Sequence, residues 1–133
     1  MNLKIFTWSS QVRAYEVDAQ GIVNNAQYLS YFDNARTLQL MACGINWVEL
    51  SHQGFNLILA RAEIQFIKPL KAFQSFHIVS EVEQRGKLRL IFHQTLFVDN
   101  DTPACKGINT VVCVDNQRNK PVAIDTIFSV ASQ

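Results

Sequence analysis

The chain has 133 residues, a formal net charge of +1 and 48% hydrophobic residues, including nine Phe. That length suits one compact domain, residues 1–133, with a core that needs neither metal nor disulfide. The apolar content excludes a disordered chain, and the near-neutral charge provides no basic stripe for nucleic acid.

The first element, "KIFTWSSQVRAYEV", carries β-branched and aromatic residues and reads as a strand. "DAQG" is turn chemistry, with Gly21 free to take positive φ. From about Asn25 to Cys43 the spacing becomes helical. Leu29, Phe32 and Leu40 lie on one stripe; Tyr28, Tyr31, Ala35, Leu38 and Ala42 lie on a second that overlaps it. Apolar residues on more than one face predict a largely buried helix. Gly44 stands where such a helix should stop. Asn46 and Glu49 resemble a capping box opening a short second helix. Four strands then follow: "FNLILARAEIQFI" up to Lys68 and Pro69, "SFHIVSEVEQ", "KLRLIFHQTLFV" and "CKGINTVVCVD". In "SFHIVSEVEQ", Phe76, Ile78, Ser80 and Val82 share a side. "DNDTPA" and "NQRNKP" read as turns. Short connections favour antiparallel pairing, and one sheet packed around one helix is the natural α+β solution. The place of the first strand in that sheet is left open.

Cys43, Cys105 and Cys113 are odd in number and form no C-x-x-C, which reads as free thiols in a reducing compartment. The N-terminus has no leader-like apolar core, and no window reaches the roughly 18 apolar residues of a membrane span. The expectation is a soluble cytoplasmic protein.

The segment holding Arg13, Asp18, Gly21, Val23, Asn24, Asn25, Tyr28 and the run Phe32, Asp33, Asn34, Ala35, Arg36 resembles the signature of the 4-hydroxybenzoyl-CoA thioesterase family of hotdog-fold proteins. "ARAEIQFIKPL", "EQRGKLRLIFHQ" and "VVCVDNQRNKPVAI" extend the resemblance over nearly the whole chain. The nearest branch is the short bacterial acyl-CoA thioesterases, including the Tol-Pal-associated type. The resemblance implies a five-stranded antiparallel sheet wrapped around a long central helix, and a homodimer or homotetramer with active sites at the dimer interface. It implies hydrolysis of an acyl-CoA substrate to free acid and coenzyme A, with no cofactor and no metal.

By the same resemblance Asp18 is the general base or the nucleophile; a carboxylate can serve either way. The local alternative for Asp18 is an Asx-type turn. The oxyanion falls to the backbone amide of Asn25, at a helix start with free N–H groups; such a donor contributes roughly 3–4 kcal/mol. The Tol-Pal type usually has His at the position of Asn25, and many relatives have His at that of Ile22. This chain has neither, which argues against a histidine acid and leaves a carboxylate-only mechanism intact. Asp33 is the second carboxylate on the helix, read as a structural partner of Arg36 at i+3. Glu63 reads as a surface or interface charge.

Basic side chains suit the phosphates of coenzyme A. The candidates are Arg85, Lys87 and Arg89 at one hairpin, with Arg61 and Lys68 on the strand that should neighbour the helix. Tyr28, Tyr31 and Phe32 read as core and tunnel wall, Tyr28 also as a substrate contact. His52, His77 and His93 lack metal-ligand spacing, and no G-x-S-x-G elbow exists. The alternatives are a hotdog hydratase or dehydratase, and a non-catalytic acyl-thioester binding protein.

Overall fold

The structure, a computed structural model, describes residues 3–131. Strand β1 (Phe6–Gln11) leads through a 3-10 turn at Ala14–Glu16 to helix α1 (Gln27–Ala42) and short α2 (Trp47–His52). Strands β2 (Phe55–Phe66), β3 (Ser75–Arg85), β4 (Arg89–Val98) and β5 (Thr102–Asp115) follow, then β6 (Lys120–Val122) and α3 (Asp125–Ala131). The sheet order is β1-β3-β4-β5-β2, antiparallel throughout. β1 takes one edge and β2 the other, which answers where the first strand belongs.

The sequence reading differs from this in several ways, among them that β5 already begins at Thr102, inside the run read as a turn. The first strand is shorter than the 4–17 stretch, because the chain leaves the sheet at Val12 for the 3-10 turn. "NQRNKP" is a turn followed by a sixth strand: β6 pairs with Cys113–Asp115, alongside β5 past the last β4 partner, Val111. A closing helix, α3, follows and buries Ile127.

A further difference concerns α1. Its buried residues are Tyr28, Tyr31, Phe32, Ala35, Arg36, Gln39 and Leu40, a single face at spacings of three and four. Leu29 and Met41 stay 39% and 48% exposed. The two stripes thus merge into one covered face, and the helix is half-buried, not largely buried, because the sheet covers one side of it and leaves Leu29, Met41 and Ala42 outside in a single chain. The helix stop is as expected. Gly44 takes φ +83°, its amide donates to Met41 O, and the Ile45 amide donates to Leu40 O, a Schellman closure. At the start of α2 the Asn46 side chain accepts the Val48 amide at 2.9 Å.

Two apolar clusters hold α1 to the sheet. One gathers Tyr28, Tyr31, Phe32 and Ala35 with Phe76, Ile78, Leu96 and Cys105. The other gathers Leu40, Ile45 and Leu50 with Leu90, Phe92, Val111, Ile124 and Ile127. The Phe32 ring of α1 packs directly on Gly107 of β5. A Cβ there would stand 3.1 Å from the Phe32 ring, 2.9 Å from Asn109 Nδ2 and 3.3 Å from Ile64.

Gly107→Ala is therefore expected to destabilise the fold by roughly 1–3 kcal/mol, as overpacking does. Urea denaturation measures this; an unchanged midpoint would contradict the close approach.

Candidate active site

The loop between β1 and α1 is built on a buried carboxylate. Glu16 is 5% exposed. It accepts the Arg13 amide at 2.8 Å and the Tyr31 hydroxyl at 2.9 Å, with Arg13 Nη1 at 3.6 Å. Burial, then the bond to Glu16, push the Tyr31 pKa well up, so this hydroxyl stays a proton donor. One end of α1 is thereby tied to the turn that precedes Asp18.

The next residues form a tight hairpin. Val17 bridges Val23, the Asp18 amide donates to Ile22 O, and Gly21 (φ +79°) donates to Asp18 O. Asp18 Oδ1 accepts the Gln20 amide at 2.8 Å and the Ile22 amide at 3.4 Å. The Asx-type turn is thus present. It occupies one carboxylate oxygen and leaves Oδ2, on an exposed residue, with no protein partner among the described residues. The hairpin is braced from outside by Leu70–Ala72, through Val23 to Leu70 O, Ala72 to Gly21 O, and a bridge between Ile22 and Lys71.

α1 opens two residues later than the helical spacing suggested, and Asn25 lies in the turn before it. The Asn24 side chain accepts the Ala26 amide at 3.0 Å, and the Asn24 carbonyl accepts the Gln27 amide. Val23 and Asn24 donate to Leu70 O and Glu16 O. From Ile22 to Gln27, Asn25 has the one amide with no acceptor among the described residues. The hairpin that displays Asp18 thus runs directly into a free N–H.

The other candidates are dispersed. Tyr28 is 3% exposed, its hydroxyl accepts the Leu70 amide at 3.4 Å, and its ring meets Phe66 edge-on. Arg85, Lys87 and Arg89 sit at the β3–β4 hairpin. The eleven residues of β3 put that hairpin roughly 33 Å along the sheet from the turn that braces Asp18. Arg85 pairs with Glu83, whose pKa is held down by hydrogen bonds from His93 and Arg85. Arg61 pairs with Glu63 at 2.5 Å and Lys68 with Asp99 at 3.3 Å, all four side chains exposed. His77 stacks on Phe97. Cys105 and Cys113 are buried, which pushes their thiols up to about 12 and about 11, so neither is a ready nucleophile.

A cavity of about 280 Å³ opens between the C-terminal half of α1 and the first half of β2. Leu40, Ile45, Trp47, Ile58 and Phe92 form apolar wall, and Asp33 and Arg36 form one side. Arg36 is buried over the Phe92 ring and donates to Gln94 Oε1 at 3.1 Å and to Asp33 at 3.3 Å. Burial draws its pKa down, and Asp33 opposes the shift. The i+3 pairing of Asp33 with Arg36 is thus present, on the rim of a cavity that no local sequence pattern announces. Glu16 was also missed, although its spacing from Arg13 is that of a capping box.

Residues 12–130 match the family described as the Thioesterase-like superfamily. Acyl-acyl carrier protein thioesterase ATL2, chloroplastic, of Arabidopsis thaliana is 32% identical over 108 residues, 80% of this chain and 57% of that protein's length. Acyl-CoA thioesterase YbgC of Haemophilus influenzae is 30% identical over 121 residues, 87% of each. The 1,4-dihydroxy-2-naphthoyl-CoA thioesterase Slr0204 of Synechocystis superposes with a TM-score of 0.88 at 19% identity, covering 96% of this chain and 95% of that one. The fold is the hotdog, an antiparallel sheet around one long helix.

Tyr31→Phe removes one donor from a buried carboxylate and is expected to cost roughly 1.5–3 kcal/mol. Thermal or urea unfolding reads this, and amide exchange at residues 16–24 should quicken if the bond anchors the loop.

Proposed function

This chain belongs to the Thioesterase-like superfamily, and we propose that it is an acyl-CoA thioesterase. The observation that carries the reading is the pairing of a half-engaged carboxylate, Asp18, with the free Asn25 amide across one hairpin. In the reaction, Asp18 Oδ2 takes a proton from water as the oxygen attacks the thioester carbonyl. The carbonyl oxygen becomes an oxyanion and meets the Asn25 N–H. The C–S bond then breaks, and the departing coenzyme A thiolate takes the proton from Asp18. Direct attack by Asp18, with an anhydride hydrolysed in a second step, uses the same two groups. The names borne by the relatives from Haemophilus and Arabidopsis support the hydrolysis of acyl thioesters.

The working unit of this proposal is a homodimer. β2 is a twelve-residue edge strand that pairs only with β5 among the described residues. Beside that edge Ile58, Leu59, Phe66 and Ile67 are 39–53% exposed. A long apolar edge of this kind invites pairing with another strand. Antiparallel pairing of two β2 edges sets residues 55–59 of one chain against the end of β2 in its partner. The Leu70–Ala72 brace lies just past that end, so the partner's Asp18 hairpin comes toward this chain's cavity. The acyl group then enters the cavity of one chain while its carbonyl stays at the hairpin of the other. Three cysteines held as thiols fit a reducing compartment, and we place the enzyme in the cytoplasm on that ground.

Asp18→Asn should lower kcat by about 10²–10⁴-fold, the range for a lost general base, with the oligomer intact. Ile58→Trp, which fills the cavity, should abolish turnover of longer acyl-CoAs. Hybrid dimers carrying one of each chain should recover one working site, read as thiol release after co-expression and separation by tag. Hybrids no more active than the parents would place cavity and carboxylate in the same chain's site.

A further inference from the structure

Phe73 has a backbone its side chain does not suit. Its φ is +67°, in the left-handed region that is costly for a bulky residue. Among the described residues eight positions have positive φ, and the other seven are Gly21, Gly44, Gly54, Gly86, Asp99, Asn100 and Asn119. Those are the residue types that tolerate the region; Phe73 is the single large side chain among them. The turn itself explains the backbone. The Phe73 amide donates to Val12 O, its carbonyl accepts Gln11 Nε2 at 2.8 Å, and Ala72 donates to Gly21 O. None of these bonds needs the ring. Burial does not explain it either, because Phe73 is 63% exposed. A residue that strains the backbone and leaves its ring in water has a use outside the folded core.

Its surroundings say what kind. Phe73 follows directly on Leu70–Ala72, the brace that holds the Asp18 hairpin. The 3-10 turn on the other side of that hairpin carries Tyr15, 81% exposed. Lys71 is exposed beside Phe73, and its ammonium has no partner among the described residues. Arg13 has a half-exposed guanidinium that donates to Ser10 Oγ at 3.3 Å, and its one carboxylate neighbour among the described residues, Glu16, is already engaged by a hydroxyl and an amide. Two exposed aromatic rings and two cations thus stand on the segments that flank the Asp18 hairpin. Aromatic faces accept a base by stacking, and cations hold phosphates.

We propose that Phe73 and Tyr15, with Lys71 and Arg13, receive the adenine nucleotide end of coenzyme A as the pantetheine arm leads it out over the rim of the Asp18 hairpin. This rests on Asp18 being the hydrolytic carboxylate. It assigns the nucleotide to the rim next to that carboxylate, and not to the Arg85, Lys87 and Arg89 hairpin of the same chain.

The test compares binding of coenzyme A and of pantetheine, which lacks the nucleotide, by titration calorimetry on the full chain. Phe73→Gly suits the backbone, so it should melt no lower than wild type. It should reduce the ratio of coenzyme A to pantetheine affinity by about tenfold or more, the loss expected of one stacked base. Lys71→Glu should lower the same ratio and flatten its dependence on salt. A ratio unchanged in Phe73→Gly, or an equal loss for both ligands, overturns the proposal. The binding readout does not depend on turnover. A chain that binds coenzyme A through Phe73 but releases no thiol from any acyl-CoA would overturn the hydrolytic reading and leave the nucleotide site standing.

Discussion

A buried polar band between α1 and the sheet holds the helix in one place. Gln39, on the buried face of α1, donates to the backbone carbonyls of Lys4 and Ser80 at 2.7 and 2.8 Å and accepts the Ser80 hydroxyl at 2.6 Å. One turn earlier Arg36 donates to Gln94, which donates to Phe32 O and accepts from Asn109. Ser80 and Gln94 face each other across β3 and β4. Apolar packing on either side of this band is non-directional and would tolerate a helix shifted along the sheet. The hydrogen bonds would not, since a buried donor or acceptor left without its partner costs about 1–3 kcal/mol. The band is not perfectly satisfied: Asn109 Oδ1 is buried without a partner.

The two parts of the proposed site hang from this fixed helix, one at each end. At its N-terminal end Tyr31 reaches Glu16 and so fixes the turn that leads into the Asp18 hairpin. At its C-terminal end Arg36 and Leu40 form part of the cavity wall. Gly107 leaves room for the Phe32 ring, on the same buried face, to pack against β5. The same helix position therefore serves the loop, the cavity and the two apolar clusters.

Features governed by local chemistry were legible in the sequence. Gly44, Asn46, the alternation of Phe76, Ile78 and Ser80, and the i+3 spacing of Asp33 and Arg36 all act within one or two turns of chain. The turn role of Asp18 was legible through the residue type, whereas its proposed catalytic role comes from the resemblance to a known signature. The illegible features depend on what lies across space. Apolar stripes on α1 do not say that the sheet covers only one face. Basic residues clustered in sequence at positions 85–89 are carried by β3 to the far end of the sheet from Asp18. The cavity joins α1 to β2, and no spacing rule connects those. Phe73 is the extreme case, because a phenylalanine in a turn carries no mark of left-handed backbone.

The distances along α1 bear on where the proposed site would be completed. Asp33 and Leu40 lie eight and fifteen residues beyond Asn25, which at ~1.5 Å per residue puts the cavity roughly 12–22 Å from the free amide along one helix. A thioester carbonyl held between Asp18 and Asn25 of one chain would have to send its acyl group along the length of that helix to reach the cavity. The buried face of α1 is filled by Phe32, Ala35 and the polar band, so no passage runs beneath it. The uncovered face, with Leu29 and Met41, is open to solvent in a single chain. In the proposed dimer a second chain joined at β2 would remove the difficulty, since antiparallel edges would bring the hairpin of one chain to the cavity of the other. The separation that makes one chain look incomplete is the separation a two-fold axis would close.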